Sequence, residues 1–255
     1  GSGDFTPQKT QTVTEQIEQA KLLVEKKAFG RSKSTNPKYI AYFQNFTNTY
    51  GNPEELEQKY REAAKAPAIV GIDIATRPDC LAGDILHRIA RISEETFVTI
   101  ELGLQTASDK TAEYIRRSYK TAVYDETVAR IKKEAPKVHI VTQLIFGLPG
   151  ETEEDMLNSV RHAVKCGTDG FKFTVLYVLE GTDLSIDYRN GSFECLSMEK
   201  YFNIVRKALS IIPPETVIHR LTGDGPKKLL IAPEWTKNKR FVMNSLKKYL
   251  YIEEK

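Results

Sequence analysis

Cysteine is scarce and scattered. Cys80, Cys166 and Cys195 are the only three in 255 residues. An odd, widely spaced set argues against a disulfide framework. No two of them lie within four residues, so the chain as written holds no zinc motif and no local iron–sulfur motif. All three read as structural. Long apolar runs are missing too: none approaches the ~20 residues of a membrane span. Residues 1–12 lack the apolar stretch of a signal peptide. The expectation is a cytoplasmic protein with no membrane partner. Neither charge sign dominates, since 37 Lys and Arg against 34 Asp and Glu leave a net charge of +3. That balance says little about partners. Its distribution says more, because Lys227, Lys228, Lys237, Lys239, Arg240, Lys247 and Lys248 crowd the C-terminal stretch. Such a cluster suits phosphates, or it is a solvated helix face.

What is present is an ordinary globular balance, 40% hydrophobic and 28% charged. The length suits one α/β domain with a small extension. Apolar strands alternate with amphipathic helices. Strands are expected at 39–43, 68–74, 96–104, 138–146 and 171–179. Helices are expected at 14–29, 53–65, 81–92, 109–117, 121–134, 151–166 and 197–211. Thr14 and Gly30 bound the first helix, and Pro53 opens the second. The tail changes character, with a strand near 216–220, a Gly/Pro turn at 223–226 and a helix at 236–250. Such alternation implies parallel pairing with right-handed crossovers. The five strands before the tail do not close an eight-stranded barrel. An open partial barrel and a doubly wound sheet both remain. In either, chemistry belongs at the C-terminal ends of the strands.

Those ends carry polar or glycine-rich groups. After the first come Gln44, Asn45 and Thr47, which can hydrogen-bond an amino acid or a ribose without adding charge, or simply turn the chain. After the second, Arg77 stands before Pro78-Asp79, as a two-pronged anion clamp or as the partner of Asp79. On the third, alternation puts Glu101, Gly103 and Gln105 on one face, and the glycine leaves room for a ligand. A core-strand glutamate needs a partner or a function. The fourth carries Gln143 and then Gly147-Leu148-Pro149-Gly150, a rigid tight turn. The fifth carries Lys172, unusual on an apolar strand, and Tyr177.

Phe43-Gln44-Asn45-Phe46-Thr47-Asn48-Thr49, Thr76-Arg77-Pro78-Asp79, Glu101-Leu102-Gly103-Leu104-Gln105-Thr106 and Gly147-Leu148-Pro149-Gly150-Glu151-Thr152 occur in this order. His219-Arg220-Leu221-Thr222-Gly223-Asp224 and Ala232-Pro233-Glu234-Trp235 come after them. Together they resemble the YhcC/YtqA-type branch of radical S-adenosylmethionine (SAM) enzymes, a branch similar to the elongator catalytic subunit and to oxygen-independent coproporphyrinogen oxidase. The resemblance runs essentially end to end. It implies an α/β fold, a partial parallel (βα)6-type barrel over 1–190, with a small α+β extension over 191–255. Gly1-Ser2-Gly3-Asp4-Phe5 matches the segment just after the CxxxCxxC cluster loop in this branch, so the first strand and cluster loop are expected to be absent from the chain as given.

The resemblance also implies the cofactors, SAM and a [4Fe–4S] cluster whose cysteines are not in this chain. A reduced cluster cleaves SAM to a 5′-deoxyadenosyl radical, which abstracts hydrogen from the substrate. Position by position, Gln44, Asn45 and Thr47 stand where relatives carry a glycine-rich turn against the methionyl amino group. Gln105 matches a ribose contact, and Arg117 matches the partner of the SAM carboxylate, with Arg116 beside it as a substitute. Gln143 stands where relatives often carry Asp or His. Ala75 replaces a ribose-binding Glu, whose role Glu101 is expected to share. Arg77, Lys172 and Tyr177 are the candidates for meeting the substrate; the resemblance implies tRNA, at a wobble-uridine side chain converted from carboxymethylaminomethyl to aminomethyl. An electron donor such as flavodoxin or ferredoxin is implied as a partner. The rival readings are a catalytically inactive SAM-binding or RNA-binding barrel, and a lyase with Lys172 as its Schiff-base amine.

Overall fold

The computed structural model describes residues 12–28, 36–223 and 225–251. Gly1–Phe5, Gly30 and Asp224 lie outside them. Eight strands and nine helices succeed one another among the described residues. The helices are α1 (Val13–Ala28), α2 (Pro53–Lys65), α3 (Gly83–Ser93), α4 (Asp109–Tyr114), α5 (Thr121–Glu134), α6 (Glu153–Cys166), α7 (Asp183–Arg189), α8 (Met198–Ile211) and α9 (Lys239–Tyr251). The strands are β1 (Tyr39–Phe43), β2 (Ile69–Thr76), β3 (Phe97–Gln105), β4 (His139–Phe146), β5 (Gly170–Val175), β6 (Val178–Leu179), β7 (Val217–Arg220) and β8 (Leu230–Ala232). Six strands form one sheet in the order β1-β2-β3-β4-β5-β7. The pairings β1·β2, β2·β3, β4·β5 and β5·β7 are all parallel. Sequential parallel strands joined by helical crossovers give the partial barrel, and the doubly wound alternative, which would reverse its strand order, falls away.

Two compact units divide the chain, Gly1–Gly103 with Val123–Ile140, and Leu104–Ala122 with Val141–Lys255. In the first, Ile72 and Ile74 of β2 and Val98, Ile100 and Leu102 of β3 are fully buried. The apolar stripes of α3 (Ile85, Leu86, Ile89) and α5 (Tyr124, Val128, Ile131) are buried with them. The opposite face of β1, β2 and β3 carries Tyr42, Asp73, Thr99 and Glu101. Tyr42 registers with Asp73, Asp73 with Thr99, and Ala75 with Glu101. In the second unit the buried row is Leu144, Phe146, Phe171, Phe173 and Val175, with Phe146 stacked 5.0 Å from Phe173. Met156, Val160 and Ala163 of α6 and Tyr201, Ile204, Val205 and Ala208 of α8 complete that core. The other face of β4, β5 and β7 carries a polar row, with Gln143 in register with Lys172 and Lys172 with Arg220.

Local chemistry sets the boundaries. Asn52 caps α2 by accepting from the Glu55 N–H at 3.1 Å, with Pro53 in the first turn. Thr152 and Asp155 form a reciprocal capping box on α6, and Gly167 ends that helix at φ 88°. Two departures from the sequence reading have local causes. The expected 171–179 strand stops at Val175 because its partner β4 ends at Phe146, whose carbonyl takes the last ladder bond from the Leu176 N–H at 2.9 Å. Val178–Leu179 then pairs antiparallel with β8 instead. The expected helix at 109–117 stops at Tyr114, where Arg116 and Ser118 turn to positive φ.

Candidate active site

In the first unit the turn after β1 is tied to the end of β2 by one side chain. Asn48 Nδ2 donates to the Phe43 carbonyl at 2.7 Å and to the Ala75 carbonyl at 2.9 Å. Thr49 Oγ1 shares a 2.6 Å bond with Thr76 Oγ1 and donates to the Cys80 carbonyl at 2.8 Å. Between these anchors Phe46 sits at φ 60° and Gln44 is exposed. Asn45 Nδ2 is buried without a partner among the described residues. A cavity of about 510 Å³ runs along β1, walled by Ile17, Ala20 and Val24 of α1, and reaches Gln44, Asn45 and Asn48. Glu101 is 2% exposed and accepts from Tyr42 Oη at 2.7 Å. Arg77 grips Asp79 with two bonds of 2.9 and 2.6 Å, so it reaches any ligand as half of an ion pair.

In the second unit Gln105 ends β3 at φ 59°, and its Oε1 accepts from Tyr119 Oη at 3.2 Å. Arg117, named as a carboxylate partner on resemblance, is 7% exposed and committed to the protein itself. Its Nη1 donates to the Leu104 and Thr106 carbonyls at 2.8 and 2.6 Å, and its Nε to the Tyr119 carbonyl at 3.0 Å. Its Nη2 meets Asp109 Oδ1 at 3.3 Å and Thr121 Oγ1 at 3.1 Å. Burial pulls its pKa down. The Thr121 backbone N–H, bonded to Asp109, holds that carboxyl below its usual range. A buried cation satisfied on every side fixes the backbone it touches, and here that backbone carries Gln105. The neighbouring Arg116 is exposed and paired with Asp183 at 2.6 Å.

Glu151 is the residue that the sequence reading did not assign. It accepts from Thr106 Oγ1, while Ser159 Oγ accepts from the Ala107 N–H at 2.9 Å. Burial pushes its carboxyl above the usual glutamate range. The Gly-Leu-Pro-Gly turn therefore delivers Glu151 as a brace for the loop after β3. The available signal was the acidic residue closing that motif. The cysteines stand apart from this chemistry. Burial raises the Cys80 thiol and lifts that of Cys195 to about 11, and no three-thiol set exists among the described residues.

A polar strand-end face on sequential parallel βα units has a match among known proteins. The family model described as the radical SAM superfamily fits residues 14–163. The chain belongs to the radical SAM superfamily. The model of the radical SAM C-terminal domain fits residues 168–251 of the same chain. This radical SAM protein is 37% identical over 250 residues to YtqA of Bacillus subtilis, covering 98% of this chain and 75% of that one. It is 32% identical over 214 residues to YhcC of Escherichia coli, covering 84% and 69%. A shorter match, 30% over 128 residues, is to a tRNA-2-methylthio-N(6)-dimethylallyladenosine synthase of Acetivibrio thermocellus, covering 50% of this chain and 26% of that one. Among solved structures, the archaeal Elp3 of Methanocaldococcus infernus with its N-terminus deleted superposes with a TM-score of 0.72 at 17% identity. That fit covers 92% of this chain and 58% of the Elp3 chain, and it shows the fold.

Radical SAM proteins use SAM and a [4Fe–4S] cluster. The residues fit SAM in one respect: Asn45 offers a buried donor with no partner among the described residues. The cysteines described here do not fit the cluster, which needs thiolates brought together. No described helix is long and apolar enough to cross a membrane.

Proposed function

We propose that this chain orients SAM and receives an RNA substrate in a radical SAM enzyme that modifies a tRNA wobble-uridine side chain, carboxymethylaminomethyl to aminomethyl. SAM, when bound, supplies the radical chemistry. The protein's part is to hold the cofactor's ribose and methionyl groups and to aim the substrate hydrogen. Asn45, Gln44 and Thr47 meet the methionyl end, Gln105 and Gln143 the ribose, and Glu101 a hydroxyl beside Gly103. Arg117 acts through Gln105, as a positioning residue. Lys172 and Tyr177 face the substrate, with Arg77 contributing through its pair with Asp79. The observation that carries the reading is the buried Asn45 Nδ2, which has no partner among the described residues, in the turn after β1.

The RNA part rests on α9. Val242 and Leu246 are its buried residues. At 100° per residue, Arg240, Lys247 and Lys248 lie on the opposite side, while Lys239 opens the helix nearer the buried stripe. No acidic residue lies in Lys239–Tyr251, and Phe241 and Tyr251 are 55% and 68% exposed. Cations interleaved with exposed aromatics suit a phosphate backbone with unstacked bases. The printed name of the matched tRNA-2-methylthio-N(6)-dimethylallyladenosine synthase supports an RNA substrate.

Calorimetric titration of S-adenosylhomocysteine tests the first half. Gln105→Ala and Gln143→Ala are each expected to lower affinity about tenfold, the loss of a hydrogen bond or two. Anisotropy with labelled tRNA across a salt series tests the second, where Lys247→Glu with Lys248→Glu should weaken binding and flatten the salt slope. No binding of S-adenosylhomocysteine at millimolar concentration would remove the first half, and salt-independent tRNA binding the second.

A further inference from the structure

The last strand of the sheet places a guanidinium where neither the cofactor nor the core accounts for it. β7 pairs with β5 through a register shift. Phe171 opposes Ile218, but Lys172 opposes Arg220, so His219 is the extra residue. A bulge of this kind re-aims a side chain. The Arg220 guanidinium turns over β5, with Nε on the Phe173 carbonyl at 3.3 Å and Nη2 on Thr174 Oγ1 at 3.1 Å. These bonds hold the guanidinium in one orientation, half-buried. No carboxylate pairs with it among the described residues, and neither Gly170–Val175 nor Val217–Arg220 contains an acidic residue.

The surroundings are shaped around the same spot. Gly223 passes so close that a Cβ there would overlap Thr174 Oγ1 and lie 2.7 Å from Tyr177 Oη. Only glycine lets that backbone, the Thr174 hydroxyl and the Tyr177 hydroxyl come together. Tyr201 closes the floor, with its hydroxyl donating to the Leu221 carbonyl at 2.7 Å. Thr174 is 7% exposed and Arg220 and Tyr177 are half-buried, so an ion reaching them would be partly desolvated. Charge-assisted bonds are strongest in such a place.

We infer that Arg220, Thr174 and Tyr177, with Lys172 alongside, form a subsite for an oxyanion of the substrate, a carboxylate or a phosphate. Arginine suits this role because its planar fork can bind Thr174 with one edge and offer the other to the anion. Two sources of the same chemistry exist, the methionyl carboxylate of SAM and an anionic group on the substrate. The sheet favours the substrate. Gln143, assigned above to the ribose, lies two strands from Arg220, roughly 10 Å at the usual strand spacing. The assignment to substrate rests on the proposed SAM site; the anion site itself does not.

The probes are inorganic phosphate and S-adenosylhomocysteine, titrated separately by calorimetry into the full chain, wild type and Arg220→Gln. The expected result is that Arg220→Gln weakens phosphate binding tenfold or more and changes S-adenosylhomocysteine affinity less than threefold. Arg220→Lys should restore only part of the phosphate affinity, because an ammonium lacks the fork. Tyr177→Phe, which keeps the ring, should cost about threefold and serves if Arg220→Gln fails to fold. Phosphate binding that is absent from the wild type, or unchanged in the variants, overturns the subsite. Equal losses for both probes would reassign it to the SAM carboxylate and overturn the substrate assignment. Phosphate binding that depends on Arg220 in a protein that never binds S-adenosylhomocysteine upholds the anion site while the proposed SAM site fails.

Discussion

The turn after β1 and the loop after β3 both come after a strand that ends in polar residues, yet they are built in opposite ways. The first hangs on Asn48 and Thr49 and leaves Gln44 in solvent and Asn45 Nδ2 without a partner among the described residues. The second is wrapped around a buried guanidinium with five acceptor contacts and is braced by Glu151 and Ser159. A ligand can complete the first. The second is complete before any ligand arrives, and what it offers is the fixed direction of Gln105. Adaptable and rigid connections can thus follow strands of one sheet, each set by the side chains that tie it down.

The largest test of this contrast is Arg117→Ala. It leaves the Leu104 and Thr106 carbonyls buried without their donor and removes the cation from a half-exposed Asp109, and a loss of roughly 3–5 kcal/mol is expected in urea unfolding. A loss below about 1 kcal/mol would mean the loop does not depend on its centre. Asn48→Ala comes next. It removes two bonds to carbonyls and should cost about 1–3 kcal/mol, less than Arg117→Ala because water can reach that turn. Gln105→Ala should leave the unfolding free energy within about 0.5 kcal/mol of wild type while weakening S-adenosylhomocysteine, which separates holding from being held.

The smallest expected effect is in pH. Burial raises the Glu151 carboxyl, so the folded state keeps its proton longer than the unfolded chain does. Its favourable contribution is therefore present at acid pH and lost as pH rises from the ordinary glutamate range through the folded value. Glu151→Gln should gain stability relative to wild type across that window and stay level with it below. A flat difference against pH would show that the brace is not titrating. Asp109 runs the other way, held low by the Thr121 N–H, so its contribution is lost as pH falls below the ordinary aspartate range.

Much of the fold was legible in the sequence because apolar runs and caps are local signals. Ile72–Ile74 and Phe171–Val175 announced strands, and Asn52-Pro53 announced a helix. What escaped depends on distant partners. β6 is a strand only because Leu230–Ala232 comes to meet it, and α7 is a seven-residue helix with a single Thr182 cap. The site divided along the same line. Glu101 stood out because a carboxylate in a buried strand demands a partner, and Tyr42 supplies it. Arg117 stood out by resemblance, but its acceptors are mostly backbone carbonyls, which no residue type reveals. Arg220 could not be placed beside Lys172 at all, since counting by twos along β7 misses a bulge.

That bulge also bears on how such a protein can change over time. Side chains alternate along a strand, and the extra residue at His219 brings Arg220 opposite Lys172 through a bulge. Swapping Arg220 for another residue alters what the subsite holds. Deleting His219 would instead repair the pairing and leave the arginine opposite Lys172 on the same face, without the bulge that re-aims it. The identity of the side chain at this strand can therefore drift by substitution, whereas a single deletion keeps it on the same face and changes its aim in one step.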